Sequence, residues 1–230
     1  MKFYTYWASL SNLKIMLNTV LPKIHKEGYR FLAIAIVITF ICLLVSKTLG
    51  LIAILLTVWV YYFFRDPDRV SIQDDNFLVS PADGLISNIS EVDGPVELSL
   101  ENKKFTKISI FMNVFNCHVN RTPVSANVDE ILYKPGKFLN ASLDKSSEEN
   151  ERNYYRLKLK NGDEIILVQI AGLIARRIVT EVETGQSIEQ GERIGMIRFG
   201  SRVDVYFNNR KLLAKLGQNV VAGESLLAVK

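Results

Sequence analysis

Two cysteines and two histidines in 230 residues exclude a good deal. Cys42 falls inside an apolar run and Cys117 stands beside His118, with no Cys-x-x-Cys pair. That leaves no material for a disulfide framework or a structural zinc site, and no metal is expected. His25 lies among Lys23, Lys26 and Arg30 and reads as a solvated or interfacial side chain, so His118 is the one imidazole in the body of the chain. Cys117 reads as a small buried residue rather than a nucleophile. The chain also lacks a run of twenty apolar residues. Its longest are residues 31–45, broken only by Thr39, and 49–64, broken by Gly50 and Thr57. Each falls slightly short of the roughly 17–25 residues expected of a spanning helix. A net basic charge is missing from most of the sequence as well. Residues 1–65 hold seven Lys or Arg and one acid, against 21 basic and 23 acidic residues in the remainder. The net charge of +4 is therefore no nucleic-acid footprint.

What is present begins with those two runs, separated only by Ser46-Lys47-Thr48. They start too late for a cleavable signal peptide and lack a small-residue cleavage site. Frayed ends or a thin bilayer would let them cross as a hairpin, residues 31–64. Arg30 and Arg65 bracket it, and the positive-inside rule then puts both ends, and the domain beyond Arg65, on the cytoplasmic face of the cell membrane. Upstream, Phe3, Tyr4, Tyr6, Trp7, Leu10 and Leu13 read as an interfacial segment or a short packing helix. The N-terminal region is set at 1–65.

After Asp66-Pro67-Asp68 the texture changes to short β-branched runs punctuated by Gly, Asn, Asp and Pro turns. Strands are predicted at 84–90, 106–112, 128–133, 154–160, 164–170, 193–198, 203–207 and 225–229. Residues 139–152 read as a polar loop, either covering a site or simply solvated. An internal repeat is visible: Gly185-Gln186-Ser187-Ile188-Glu189-Gln190-Gly191-Glu192 recurs as Gly217-Gln218-Asn219-Val220-Val221-Ala222-Gly223-Glu224. It resembles the lipoyl and biotinyl carrier hammerhead, a flattened barrel-sandwich. The expected fold is mainly β, a barrel-sandwich domain over residues 66–230 with an N-terminal α-helical membrane hairpin. Those carriers present a lysine at an exposed hairpin tip. Here the corresponding segment is Arg198-Phe199-Gly200-Ser201, which puts a serine at the expected tip.

Three segments carry candidate chemistry: Ser80-Pro81-Ala82-Asp83-Gly84, the box Cys117-His118-Val119-Asn120-Arg121-Thr122-Pro123, and Phe199-Gly200-Ser201-Arg202-Val203-Asp204. An acid that orients an imidazole, which draws the proton from a hydroxyl, is the logic of nucleophile activation. A serine after glycine can turn that logic on its own chain by attacking the preceding carbonyl. Read without comparison, the residues support a membrane-attached β-domain with a candidate Asp/His/Ser set.

In this order, behind a hydrophobic hairpin, the three segments resemble the short-chain bacterial phosphatidylserine decarboxylase proenzymes over roughly residues 30–230. The family's marks are Ser-Pro-x-Asp-Gly, His-Val-Asn-Arg-x-Pro and Phe-Gly-Ser-Arg-Val-Asp. Three departures are Asn113-Val114 for Ser-Pro, Ser125-Ala126-Asn127 for a segment usually containing Gly, and Phe207-Asn208-Asn209 for Leu-Pro. The resemblance implies self-cleavage between Gly200 and Ser201 into a β chain, 1–200, and an α chain, 201–230, which stay together as a heterodimer. Ser201 would become a covalent pyruvoyl group, the electron sink for decarboxylation, with no pyridoxal phosphate and no metal. Asp83, His118 and Ser201 are then catalytic. His118 would serve first as the base in cleavage and later as the acid that reprotonates the product. Arg121 and Arg202 are candidates for the carboxylate or phosphate of phosphatidylserine, or else structural ion pairs. Two alternatives stay open: a decarboxylase of another amino-acid-headed lipid, and a membrane-tethered hammerhead-like binding module without catalysis. Higher oligomers are left open, and no nucleic-acid partner is expected.

Overall fold

The computed structural model describes residues 21–138, 149–172, 177–198 and 201–230. The aromatic segment before Leu21, the greater part of the 139–152 loop, and Phe199-Gly200 lie outside the described residues. The chain divides after Asp68 into two compact units.

The first unit is a helical hairpin of α1 (Gly28–Val45) and α2 (Lys47–Phe63). By length and composition α1 can cross a membrane; α2, at 17 residues, is a shorter apolar helix. Their outer faces are bare hydrocarbon, with Leu44, Val45 and Leu55 more than 70 % exposed. The two polar interruptions of the apolar runs meet across the hairpin. Thr39 and Thr57 hydroxyls lie 2.7 Å apart, Thr39 also donates to the Ala53 carbonyl, and Thr57 to that of Ala35. No hydroxyl is therefore left for hydrocarbon to solvate. Gly50 allows the close approach, since a Cβ there would sit 2.6 Å from Leu43 Cγ. The open end is laced by backbone bonds from His25 N–H to the Phe64 carbonyl and from Asp66 N–H to that of Lys23. His25 is 3 % exposed, which corrects the solvated one of the two expectations for it.

The second unit is mainly β, as expected. Its strands are β1 (Phe77–Val79), β2 (Gly84–Asp93), β3 (Lys104–Met112), β4 (Val119–Arg121), β5 (Ala126–Lys134), β6 (Arg152–Lys158) and β7 (Glu164–Ala171). They continue as β8 (Ile178–Thr180), β9 (Ser187–Ile188), β10 (Arg193–Ile197), β11 (Ser201–Phe207), β12 (Lys211–Leu212), β13 (Asn219–Val220) and β14 (Leu226–Val229). A curled eight-stranded sheet runs β13-β2-β3-β11-β7-β6-β5-β9, flanked by three-stranded sheets β1-β14-β12 and β4-β10-β8.

That order reads as a duplication. Strands β1, β2, β3, β11, β12, β13 and β14 map in sequence onto β4, β5, β6, β7, β8, β9 and β10. The registers agree: Leu85↔Phe111 answers Asn127↔Lys158, and both pairs are followed by an irregularity, at Ile86/Asn88 and Val128/Glu130. Reciprocal bonds join the copies, Val79 N–H to the Pro123 carbonyl at 3.0 Å and Arg121 N–H to that of Pro81 at 2.8 Å. The octapeptide repeat supplies the two edge strands, β9 and β13, with their turns. Gly185, Gly191, Gly217 and Gly223 all have φ between 77° and 87°, the left-handed region that favours glycine. One copy is continuous from β4 to β10. The other is interrupted between β3 and β11, where its twin has a tight hairpin closed by Leu159 N–H to the Asp163 carbonyl.

Strand alternation divides the sheet's faces. Ile110, Met112, Leu167, Ala171, Val203 and Val205 face the main core. Phe105, Tyr154, Ile166, Val168 and Ile170 face a smaller one, capped by Leu98 and Leu100.

Candidate active site

The interruption between the copies is where the candidate residues gather. Ser201 opens β11, fourth of the eight strands, and lies in register between Met112 of β3 and Ala171 of β7. It occupies the place Asp163 holds in the twin hairpin. Sharing parity with Val203, its side chain faces the main core; it is fully buried, and its Oγ has no hydrogen-bond partner among the described residues. The junction does not close a hairpin, contrary to the expected tip. β10 pairs with β4 and β8, and β11 with β3 and β7, so the chain changes sheet between them. A buried hydroxyl without a partner costs stability.

His118 ends the connection that leaves β3 after Met112. Its carbonyl accepts from Ile197 N–H at 3.3 Å, tying it to the end of β10, four residues before Ser201. The ring is fully buried, and Nδ1 lies 3.0 Å from the Asn116 carbonyl oxygen. A carbonyl can only accept, so Nδ1 carries the proton and Nε2 is the basic nitrogen.

Asp83 directly precedes Gly84, the first residue of β2. Its carboxylate accepts from Arg69 at 2.8 and 3.1 Å and from the Ala222 amide at 2.8 Å. In the twin, Ser125 Oγ likewise accepts from the Gln190 amide at 3.2 Å. Part of Asp83's role is thus inherited turn capping, and the Arg69 pair is what this copy adds. β2 stands two strands from β11, about 10 Å across the sheet. Asp83 and Ser201 therefore share one end of the sheet without being neighbours in it. The orientation of His118 that is visible comes from Asn116, which no sequence signal singles out, and Arg69 was missed because the segment 66–70 gives no signal beyond a turn.

The two candidate substrate arginines are engaged within the domain. Arg121 donates to the Gly191 carbonyl at 2.8 Å. Arg202 forms an ion pair with Asp204, its Nη2 donating to Oδ2 at 3.1 Å and its Nε lying 2.9 Å from Oδ1. One residue on from Ser201, it points to the opposite face of the sheet. Cys117 is buried, as expected. Among the described residues no group of three or more His, Cys, Asp or Glu could hold a metal.

Comparison with known proteins gives the family. Residues 56–228 match the family described as phosphatidylserine decarboxylase. A phosphatidylserine decarboxylase proenzyme of Pelagibacter ubique is 66 % identical over 215 residues, 94 % of this chain and all of the relative. Proenzymes of the same name from Ruegeria pomeroyi and Cereibacter sphaeroides are 50 % and 49 % identical over 214 residues each. These cover 93 % of this chain and, respectively, 98 % and 92 % of the relatives. The chain belongs to the phosphatidylserine decarboxylase family of carboxy-lyases.

Proposed function

We propose that this protein converts phosphatidylserine to phosphatidylethanolamine at the cytoplasmic face of the cell membrane, after cutting its own chain between Gly200 and Ser201. The observation that carries the reading is the buried hydroxyl of Ser201 at the head of a central strand, without a hydrogen-bond partner among the described residues. It occurs in a chain 66 % identical to a proenzyme of that name.

His118 Nε2 takes the Ser201 hydroxyl proton while Oγ bonds to the Gly200 carbonyl carbon. The peptide C–N bond opens, and the proton passes to the departing nitrogen, leaving an ester. Loss of the Ser201 α-proton then expels the Gly200 carboxylate from Cβ. Water releases ammonia, and the strand keeps a pyruvoyl group as its first residue. The buried, otherwise unused position of residue 201 fits such a group. Once formed, it supplies an electron sink for the breaking carbon–carboxylate bond. His118 returns a proton to the substrate carbon. Asp83, held by Arg69 and the Ala222 amide, contributes fixed negative charge at this end of the sheet.

The two chains stay associated after the cut because Ser201–Phe207 is laddered to β3 on one side and β7 on the other. The apolar hairpin keeps the enzyme on the bilayer that holds its substrate's acyl chains, with Arg30 and Arg65 on the cytoplasmic side. The test is carbon dioxide release from vesicles containing phosphatidylserine by the reconstituted full chain. Wild type releases it and Ser201→Ala does not; a wild type that releases none overturns the reading.

A further inference from the structure

The two edge turns of the duplicated fold share a backbone and differ in what they show to solvent. In one, Gly217 N–H donates to the Ile86 carbonyl at 2.9 Å, Ile86 N–H to the Gln218 carbonyl at 2.9 Å, and Lys215 N–H to Gln218 Oε1 at 3.0 Å. In its twin, Gly185 N–H donates to the Val128 carbonyl at 2.7 Å, Val128 N–H to the Gln186 carbonyl at 2.9 Å, and Glu183 N–H to Gln186 Oε1 at 3.0 Å. Both tips are exposed, Leu216 in one and Thr184 in the other. Folding therefore asks the same of both turns, yet Lys215-Leu216 stands where the twin has Glu183-Thr184. The contrast extends to the strands beside them. Leu85 and Phe111 form the pair that Asn127 and Lys158 form in the twin. Residues 210–223 hold three basic and no acidic side chains, while the matching residues 178–191 hold three acidic and no basic ones. Leu85 and Leu216 are 41 % and 67 % exposed, and Leu212 and Leu213 of the same segment are exposed as well.

Resting on the phospholipid reading above, we propose that this edge of the catalytic unit is a docking surface for an anionic bilayer, with Leu216 and Leu85 entering the interfacial layer and Lys215 meeting lipid phosphates. Apolar side chains that the fold does not require, ringed by charge of one sign, mark a surface that another phase covers. The sign selects that phase: basic side chains are drawn to anionic headgroups, among them the substrate's own, whereas the acidic twin edge is repelled by them. The place fits the chemistry. Leu85 follows Asp83 and Gly84 directly, so the face lies at the end of the sheet where Ser201 opens β11. Docking there brings headgroups to the reacting end of the domain, a task distinct from the hairpin's tethering of the chain.

The experiment places an environment-sensitive fluorescent amino acid at position 216, or at the twin position 184, in the full chain synthesised cell-free into phosphatidylcholine/phosphatidylglycerol nanodiscs. Lipids brominated on their acyl chains are expected to quench the label at 216 several-fold more than the label at 184. Equal quenching at the two positions overturns the proposal. In detergent without lipid, a blue shift at 216 that grows with protein concentration assigns the face to a second copy of the chain and overturns it too. The double variant Lys215→Glu/Leu216→Thr copies a turn that the same fold already builds, which keeps folding out of the comparison. In nanodiscs of graded phosphatidylserine content its half-saturating lipid fraction should rise roughly fivefold, the worth of one lysine at an anionic surface, with the maximal rate unchanged. A half-saturation within twofold of wild type overturns the proposal. A wild type that releases no carbon dioxide defeats the decarboxylase reading instead, and quenching at 216 against 184 still decides the docking face.

Discussion

Gly84→Ala is the substitution for which the duplicated fold supplies its own control. A Cβ at Gly84 would lie 3.0 Å from the Phe111 carbonyl carbon and closer still to its oxygen, contacts that real Cβ atoms essentially never make. The obstacle is the backbone of β3, which cannot rotate away as a side chain could. One row on, that strand carries Met112, the partner of Ser201. Moving β3 enough to admit the methyl falls at the upper end of overpacking costs, about 3 kcal/mol. For a unit of this size each kcal/mol lowers the melting temperature by about 2–4 °C, so a fall of about 6–12 °C is expected. At the matching position of the twin, Ala126 already carries a Cβ. Ala126→Gly should cost only about 0.5–1 kcal/mol, through backbone entropy and lost contact. The assay is thermal unfolding of the full chain in detergent micelles, followed by far-ultraviolet circular dichroism. If Gly84→Ala melts within 2 °C of wild type, the argument from close approach fails.

Asp204→Ala would remove the carboxylate paired with the Arg202 guanidinium in a site where the two side chains are 4 % and 0 % exposed. A loss of about 3–5 kcal/mol is expected in denaturant titration, whereas replacing both partners with apolar residues should cost far less. On the acid side, the hydrogen bond from Lys230 to Asp163, at 3.0 Å, holds that carboxyl below its ordinary range against a smaller opposing effect of burial. Because the folded value is depressed, the stabilisation is fully present above about pH 4 and is lost as pH falls through the folded value. The pair is partly exposed, so the effect is below about 1 kcal/mol. Wild type should lose slightly more melting temperature than Lys230→Ala between pH 5 and pH 3, and equal losses would remove the pair from the account.

The helical hairpin and the long strands are legible in the sequence because each is long enough to display its period. The strands of two or three residues, such as β4, β9, β12 and β13, are too short to alternate and went unseen. The duplication is legible only at the edge turns. There positive φ fixes glycine, and hydrogen bonds from the backbone three residues earlier fix glutamine: Gln186 Oε1 accepts from Glu183 N–H and Gln218 Oε1 from Lys215 N–H. Paired strand faces demand only volume and polarity, so Asp83 and Ser125, or Ser201 and Asp163, occupy matched places with no shared identity. The motifs gave the site's residue types but not its connections. Asp83 draws its partners from Arg69 and from the Ala222 amide, 14 and 139 residues away, which no local pattern records, and Asn116 holds His118 through a backbone carbonyl that any residue type would supply.

The central claim is that Ser201 is a nucleophile that ends as the first residue of a separate chain. Intact mass of freshly purified full-length protein tests it most directly. The account predicts two chains, one comprising residues 201–230 and lighter by one ammonia than the same fragment beginning with serine. A single chain of full mass that persists on incubation would contradict it.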